Sequence, residues 1–167
     1  MSFRSKRIEV LRDRLLRRGE RLSIASTWSF SLAPPSEQAA YERILPYAEA
    51  IYLVIAADGV RTPQERDALL GAIRYLTEGE LGAQAADHMI ARFQNDLERD
   101  GLEVRLDDVA SRVYAEPEDR ELALALAAAV SATGGQSGPT ERTIEGLGER
   151  LGFSPKRLRA FLSEDPS

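Results

Sequence analysis

The stretch VIAADGVRTPQER at residues 54–66 recurs as VSATGGQSGPTER at residues 130–142, displaced by 76 positions. Each copy follows an Ala-rich apolar segment and precedes an amphipathic one, so each predicts a helix, a loop and a second helix. Two such units can bury their apolar faces against each other, which predicts a compact helical bundle with a pseudo-twofold relation. Identical residues occupy the paired positions 54/130, 56/132, 59/135, 63/139, 65/141 and 66/142.

The remaining chain after residue 36 also has helical patterns, and no segment shows the sustained alternation typical of a strand. We therefore predict an all-α fold, with a helical domain over residues 37–163. Proline favours the first turn of a helix. Helix starts are predicted at Pro35, Pro63, Pro117, Pro139 and Pro155.

Two further helices are predicted between the copies. The first runs from about Leu81 to Arg99, with Ala85, Met89 and Phe93 on one face, and the second from about Leu106 to Tyr114. Pro46 lies inside the first helix of the domain and predicts either a kink or a restart there.

Length and composition exclude several classes of function. A chain of 167 residues with 43% hydrophobic residues suits one domain with an ordinary core. With no Cys and one His, disulfides, thiolate metal sites and Cys nucleophiles are excluded, and no convergent nucleophile and base can be named. His88 is predicted to be a surface or half-buried helix residue. An enzyme is the least expected class.

Charge is unevenly distributed along the chain. Residues 1–21 hold eight basic and three acidic groups, whereas the whole chain has a net charge of −5. Ile8, Leu11, Leu15 and Leu22 recur at helical spacing, which predicts a basic amphipathic helix over residues 1–22. This helix can pack on the body, dock on an acidic partner, or lie on an anionic membrane surface. Its candidate partner-binding residues are Arg7, Arg14 and Arg18.

Residues 23–36 are rich in Ser, Thr, Ala and Pro and predict a linker. Trp28 and Phe30 in this linker form either a short docking motif or a cover for a groove on the protein's own body. No apolar run is long enough for a signal peptide or a membrane span, so a cytoplasmic protein is expected, peripheral to a membrane if the N-terminal helix binds lipid.

Ala57-Asp58-Gly59 with Glu65 downstream resembles the TerB-like family of tellurite-resistance proteins, which includes domains of membrane-anchored J-domain co-chaperones. The run LGFSPKRLRAFL at residues 151–162 is similar to the family's closing helix pair, and the resemblance covers about residues 45–163. It implies an all-α bundle, a divalent cation on an acidic loop face, and a non-catalytic role in a stress-linked or membrane-associated assembly.

The candidate metal ligands are Asp58, Glu65 and Glu141. The second copy has Gly134 in place of Asp58, so a symmetric two-loop site is not expected. Local roles are also open, because Thr62 and Glu65 fit a capping box and Asp58-Gly59 suits a helix end. A cation such as Ca²⁺ takes about six or more oxygen ligands, more than these side chains supply.

The predicted function is a non-enzymatic protein-interaction or scaffolding module with a protein partner. DNA binding is the alternative, because residues 139–162 resemble a helix-turn-helix with Gly152 in the turn and Lys156, Arg157 and Arg159 on the second helix. Residues 139–167 contain five basic and five acidic groups, however, so nucleic acid is not the expected partner. The acidic tract at residues 96–121 is predicted to be a solvated face or a receiver for the basic N-terminal helix.

Overall fold

The computed structural model describes residues 35–57, 63–113, 117–131 and 138–163. No described residue lies in a strand, which confirms the predicted all-α class. The predicted basic helix and nearly all of the predicted linker lie outside these residues. The described helices are α1 Pro35–Ala56, α2 Pro63–Leu76, α3 Ala83–Asp100, α4 Leu102–Arg112, α5 Pro117–Ser131, α6 Gly138–Arg150 and α7 Pro155–Ser163.

Helix α1 lies at the centre of the bundle. It contacts α2, α3, α4, α5 and α6, and its apolar side chains are buried on all sides. A helix that is apolar on all faces must be covered by other helices on all faces, and α1 is covered in this way. Pro46 lies inside one continuous helix, so the predicted restart does not occur. Proline has no N–H, and the helix therefore continues with one backbone hydrogen bond fewer.

The duplicated units form matching helix pairs, α1 with α2 and α5 with α6. The largest contact between helices joins α1 to α5, the first helices of the two copies. Each of these also packs on the second helix of its own copy and on the second helix of the other copy. This reciprocal packing agrees with the predicted bundle built from two units.

A helical hairpin, α3 and α4, is inserted between the copies. Helix α3 buries Ala85, Ala86, Met89 and Phe93, which confirms the predicted face. Helix α4 begins at Leu102, four residues before the predicted start. The predicted start was one turn too late, because Leu102 extends the helical spacing of Leu106, Val109 and Val113 by four residues towards the N-terminus. Gly101, with φ of 84°, separates the two helices.

Candidate functional site

A buried carboxylate lies on the central helix α1. Glu49 is 2% exposed and is flanked by apolar residues. Arg105 of α4 donates two hydrogen bonds to it, from Nε to Oε2 at 2.8 Å and from Nη2 to Oε1 at 2.7 Å. Arg112, two turns further along α4, donates from Nη2 to the same Oε1 at 2.7 Å. One buried carboxylate therefore holds two guanidinium groups and links α1 to α4; we call these three residues the Glu49 cluster.

Further carboxylates surround Arg105. Its Nη1 donates to Asp100 Oδ2 at 3.2 Å, and its Nη2 donates to Asp108 Oδ2 at 3.1 Å. Asp108 also pairs with Arg112 at 2.9 Å. These aspartates belong to the acidic tract at residues 96–121, which was predicted to be a solvated face. The Asp108 side chain is 43% exposed, and the tract also supplies counter-charges to a buried arginine.

Arg105 and Asp100 in this network have shifted pKa values. Hydrogen bonding to Glu49 raises the pKa of Arg105 above its ordinary value, although burial lowers it. Arg99 donates two hydrogen bonds to Asp100, and these lower the pKa of Asp100 to about 2. General acid–base catalysis needs a group whose pKa lies near the working pH. The pKa of Arg105 is raised and the pKa of Asp100 is lowered, so both move away from neutral pH. These groups are therefore better suited to holding helices together than to transferring protons.

One member of the predicted metal-ligand set is described with its side chain. Glu141 is exposed in the first turn of α6. Glu65 lies in the first turn of α2, but its side chain and the whole of Asp58 are outside the described part. Among the described side chains, no group of three or more His, Asp or Glu residues is placed to hold a metal ion. The metal site around Asp58 remains a prediction.

The predicted partner-binding residues lie outside the described residues: Arg7, Arg14, Arg18, Trp28 and Phe30. Their role also remains a prediction. Within the ranges that the structure covers, no helix combines the length and apolarity needed to cross a membrane.

His88 has a structural partner across the α1–α3 interface. The hydroxyl of Tyr41 and Nδ1 of His88 form a hydrogen bond at 2.8 Å, and the two rings meet edge to face with centroids 5.6 Å apart. Burial raises the pKa of Tyr41 to about 12, with Arg92 nearby acting in the opposite direction. His88 is half-buried, as predicted, and Tyr41 stays protonated at neutral pH.

A second arginine links α6 to α4 at the surface. Arg150 donates from Nε to Asp107 Oδ1 at 2.6 Å and also pairs with Glu103. Burial lowers the pKa of Arg150, but hydrogen bonds to Asp107 and Glu103 outweigh it and the net shift is upward. Exposed pairs join other helices, Arg66 with Asp87 and Arg157 with Glu121.

Helices α6 and α7 are joined by a turn at residues 151–154, within the segment whose sequence resembles a helix-turn-helix. Phe153 N–H donates to the Gly148 carbonyl at 3.0 Å and Gly152 N–H to the Glu149 carbonyl at 3.1 Å, which is a Schellman motif. Gly152 has φ of 90°, a conformation that favours glycine. A Cβ on Gly148 would lie 2.8 Å from Cδ1 of Leu158, so this glycine permits the close packing of α7 on α6.

Charge on this hairpin is divided between its helices. Lys156, Arg157 and Arg159 on α7 are exposed. Arg157 bends back to the body, where it donates to Glu121 at 3.3 Å and stacks 4.6 Å from the centroid of the Phe153 ring. On α6, carboxylates at positions 141, 145 and 149 are exposed at four-residue spacing. A row of carboxylates opposes binding to DNA phosphates, which the first helix of such a motif crosses.

Sequence reasoning did not find the Glu49 cluster. One signal was present, because Glu49 is the single charge in the apolar run YAEAIYLVIAA at residues 47–57. A charge buried in such a run requires a counter-charge. Arg105 is 56 positions away, however, and the chain contains 22 basic residues that could have served.

Comparisons with protein-family models, curated proteins and solved structures find no match to this chain. The TerB-like resemblance therefore rests on the residues quoted above. The functional assignment depends on the geometry of the described helices and on the charge pattern of the whole chain.

Proposed function

We propose that this chain is a non-enzymatic protein-interaction and scaffolding module of the TerB-like type. The observation that supports it is that the charged side chains join helices to each other. The Glu49 cluster joins α1 to α4, and Arg150 joins α6 to α4. The one His is hydrogen-bonded to Tyr41 across another interface. Groups used in this way maintain the shape of a bundle, and a bundle of fixed shape suits the presentation of surfaces to a partner.

The N-terminal segment is the proposed docking element for an acidic protein partner. It has a surplus of five positive charges over residues 1–21, on a chain whose net charge is −5. Opposite charge accelerates association and restricts the choice of partner. Arg7, Arg14 and Arg18 supply this charge, and Trp28 and Phe30 supply apolar anchors of the type that dominates many interfaces. The family resemblance favours a partner in a stress-linked or membrane-associated assembly.

The resemblance also supports a divalent cation at Asp58, Glu65 and Glu141. Carboxylate oxygens are the ligands that Ca²⁺ and Mg²⁺ prefer. In the proposal this cation stabilises the loop that follows α1, and it is separate from the N-terminal docking element. The two parts therefore require separate variants.

The experiment is quantitative affinity capture from native lysate with the full chain and two charge-reversal variants. The first combines Arg7→Glu, Arg14→Glu and Arg18→Glu. The matched control combines Arg74→Glu, Arg142→Glu and Lys156→Glu, which reverses three exposed charges on the helical body. We expect the N-terminal variant to lose a partner that the control retains. Equal capture by both variants would refute docking through the N-terminal segment.

The cation is tested by calorimetric titration of the full chain with Ca²⁺ and with Mg²⁺. Binding that disappears in Asp58→Asn but persists in Glu42→Gln, which removes an exposed carboxylate from α1, supports the site. An absence of binding to the full chain, or equal binding by both variants, would eliminate it. Repeating the affinity capture with EDTA shows whether the cation takes part in partner binding.

DNA binding through α6 and α7 is a second candidate, favoured by the turn geometry and by the exposure of Lys156 and Arg159. Its test is fluorescence anisotropy of the full chain with a random pool of duplex DNA. If this function holds, Lys156→Ala and Arg159→Ala each weaken binding and reduce its salt dependence, whereas Arg74→Ala does neither. Unchanged binding in all three variants, or none by the wild type, excludes it.

A further inference from the structure

A row of carboxylates lies on the outer side of α6. Glu141, Glu145 and Glu149 are exposed at four-residue spacing, and no described side chain forms an ion pair with them. Like charges four residues apart on a helix repel each other. The row therefore destabilises α6 slightly, and positive charge placed over it would offset the repulsion.

The negative charge continues from α6 onto α4 through Arg150. This arginine donates to Asp107 at 2.6 Å and also pairs with Glu103, and these two carboxylates are 70% and 77% exposed. Val104 follows Glu103 and lies one turn from Asp107; it is 54% exposed, the one large apolar side chain that is exposed among the described residues. We call this surface the acidic face, and its members are Glu103, Val104, Asp107, Glu145 and Glu149.

The N-terminal segment has the complementary pattern. Residues 1–21 carry a surplus of five positive charges. In the helix predicted over residues 1–22, one side carries four residues at spacings of three and four: Arg7, Leu11, Arg14 and Arg18. A leucine between arginines on this side matches the valine between carboxylates on the acidic face. The four-residue step between the last two arginines equals the step along the α6 row.

The connection to the body is long enough for contact within one chain. Residues 23–34 separate the predicted helix from the start of α1 at Pro35, and twelve extended residues span about 40 Å. Pro35 lies fourteen positions before Glu49, or about 21 Å along the helix. Glu49 is bound to Arg105 of α4, which lies between Glu103 and Asp107 in sequence. The acidic face is therefore within reach of the segment.

We propose that residues 1–22 dock on the acidic face of their own chain. The linker gives the segment an effective concentration of about millimolar, so weak contacts between exposed charges are sufficient. Such contacts are screened by salt and are displaced by a partner that binds more strongly. The contact is therefore autoinhibitory, because an outside partner of the N-terminal segment competes with α4 and α6. It concerns the free protein and holds or fails independently of the partner proposed above.

The test is paramagnetic relaxation enhancement in the full chain. The chain has no Cys, so Ser5→Cys places a single spin label beside the arginines. At low salt, we expect the amide peaks around Val104 and around Glu149 to lose intensity relative to the sample with reduced label. In 1 M NaCl the screening length falls to about 3 Å, so we expect the intensity to return. Full intensity at low salt would overturn the proposal.

Charge reversal on α6 identifies the docking surface. Glu145→Lys combined with Glu149→Lys should abolish the loss of intensity. The matched control combines Glu42→Lys and Glu98→Lys, which makes the same change of charge at exposed positions on α1 and α3 and should retain the loss. An equal loss in both variants, or a loss confined to other helices in the wild type, would overturn docking on the acidic face.

A mixed sample distinguishes contact within one chain from contact between two copies. It combines spin-labelled chain at natural isotope abundance with nitrogen-15 chain that carries no spin label. We expect full intensity in this mixture. A loss of intensity there would overturn docking within one chain and assign the contact to a second copy. Affinity capture of an outside partner has a separate readout, because it does not depend on where the free segment lies.

Discussion

Glu49 and Arg105 meet in a two-point contact across the α1–α4 interface, with N···O distances of 2.8 and 2.7 Å. Their side chains are 2% and 10% exposed, so both charges have left water on folding. The contact between the two side chains replaces the interactions that each charge made with water. The pair connects the first copy of the repeat to the inserted hairpin, two parts of the chain whose sequences show no relation.

Replacement of Arg105 alone should destabilise the protein strongly. Arg105→Met leaves Glu49 buried with one guanidinium, and removal of one partner from a buried pair costs about 3–5 kcal/mol. Arg112 still binds Glu49, so we expect a loss near the lower limit, about 3 kcal/mol. Urea denaturation measures it. Arg150→Met removes an exposed pair and should cost less than about 1 kcal/mol; an equal loss in both variants would contradict the buried contact.

Asp100 should contribute to acid sensitivity. Its pKa falls from 3.8 to about 2, chiefly because Arg99 donates hydrogen bonds to it. The unfolded chain then takes up a proton at higher pH than the folded chain does. The contribution of Asp100 to folding is therefore complete above about pH 4 and is lost as the pH falls from there to about 2.

Denaturation of wild type and Asp100→Asn at a series of pH values tests this contribution. We expect the free energy of unfolding of Asp100→Asn to fall less steeply between pH 4 and pH 2. Glu98→Gln is the control, because it removes an exposed carboxylate of equal charge from the same helix. If both variants change the slope equally, the effect is one of net charge and not of the contacts of Asp100.

The order of helix starts could be predicted from sequence because the signal is local. Proline fixes its own φ and lacks a donor, so Pro63, Pro117 and Pro155 each begin a helix where predicted. The start of α4 at Leu102 was predicted four residues too late, although Leu102 follows a glycine and precedes Leu106 at helical spacing. Arg105 could not be recognised as buried, because its environment depends on a residue 56 positions away.

Tyr41 should ionise at an unusually high pH and make the stability of the protein sensitive to alkali. Burial raises its pKa from 10.0 to about 12, because the interior disfavours the phenolate. The unfolded chain loses this proton first, so the stability contributed by Tyr41 is complete below pH 10 and declines as the pH rises to about 12. Ultraviolet titration of the folded protein should show one phenol that ionises at the high-pH end of the curve. Tyr41→Phe should remove that part of the absorbance change.

The Tyr41→Phe variant has a second expected effect at neutral pH. It removes the hydrogen bond to His88, which should lower the free energy of unfolding by about 1 kcal/mol. Tyr75→Phe on α2 is the control for the ultraviolet titration, since Tyr75 is half-buried and lies on another helix. A difference between the titrations of wild type and Tyr41→Phe near pH 10 would mean that Tyr41 is not buried as described.

Glu78→Gly should stabilise the protein. Helix α2 ends in a Schellman motif, with Gly79 N–H donating to the Arg74 carbonyl at 2.8 Å and Glu78 N–H to the Tyr75 carbonyl at 3.4 Å. Glu78 occupies the left-handed position with φ of 50°, where a residue with a Cβ is strained by about 1–2 kcal/mol. Glycine relieves this strain but loses more entropy on folding, so we expect a net gain of about 0.5–1 kcal/mol in urea denaturation. Glu80→Gly removes the same charge two positions later, outside the motif, and should not stabilise; a gain of equal size there would assign the effect to charge.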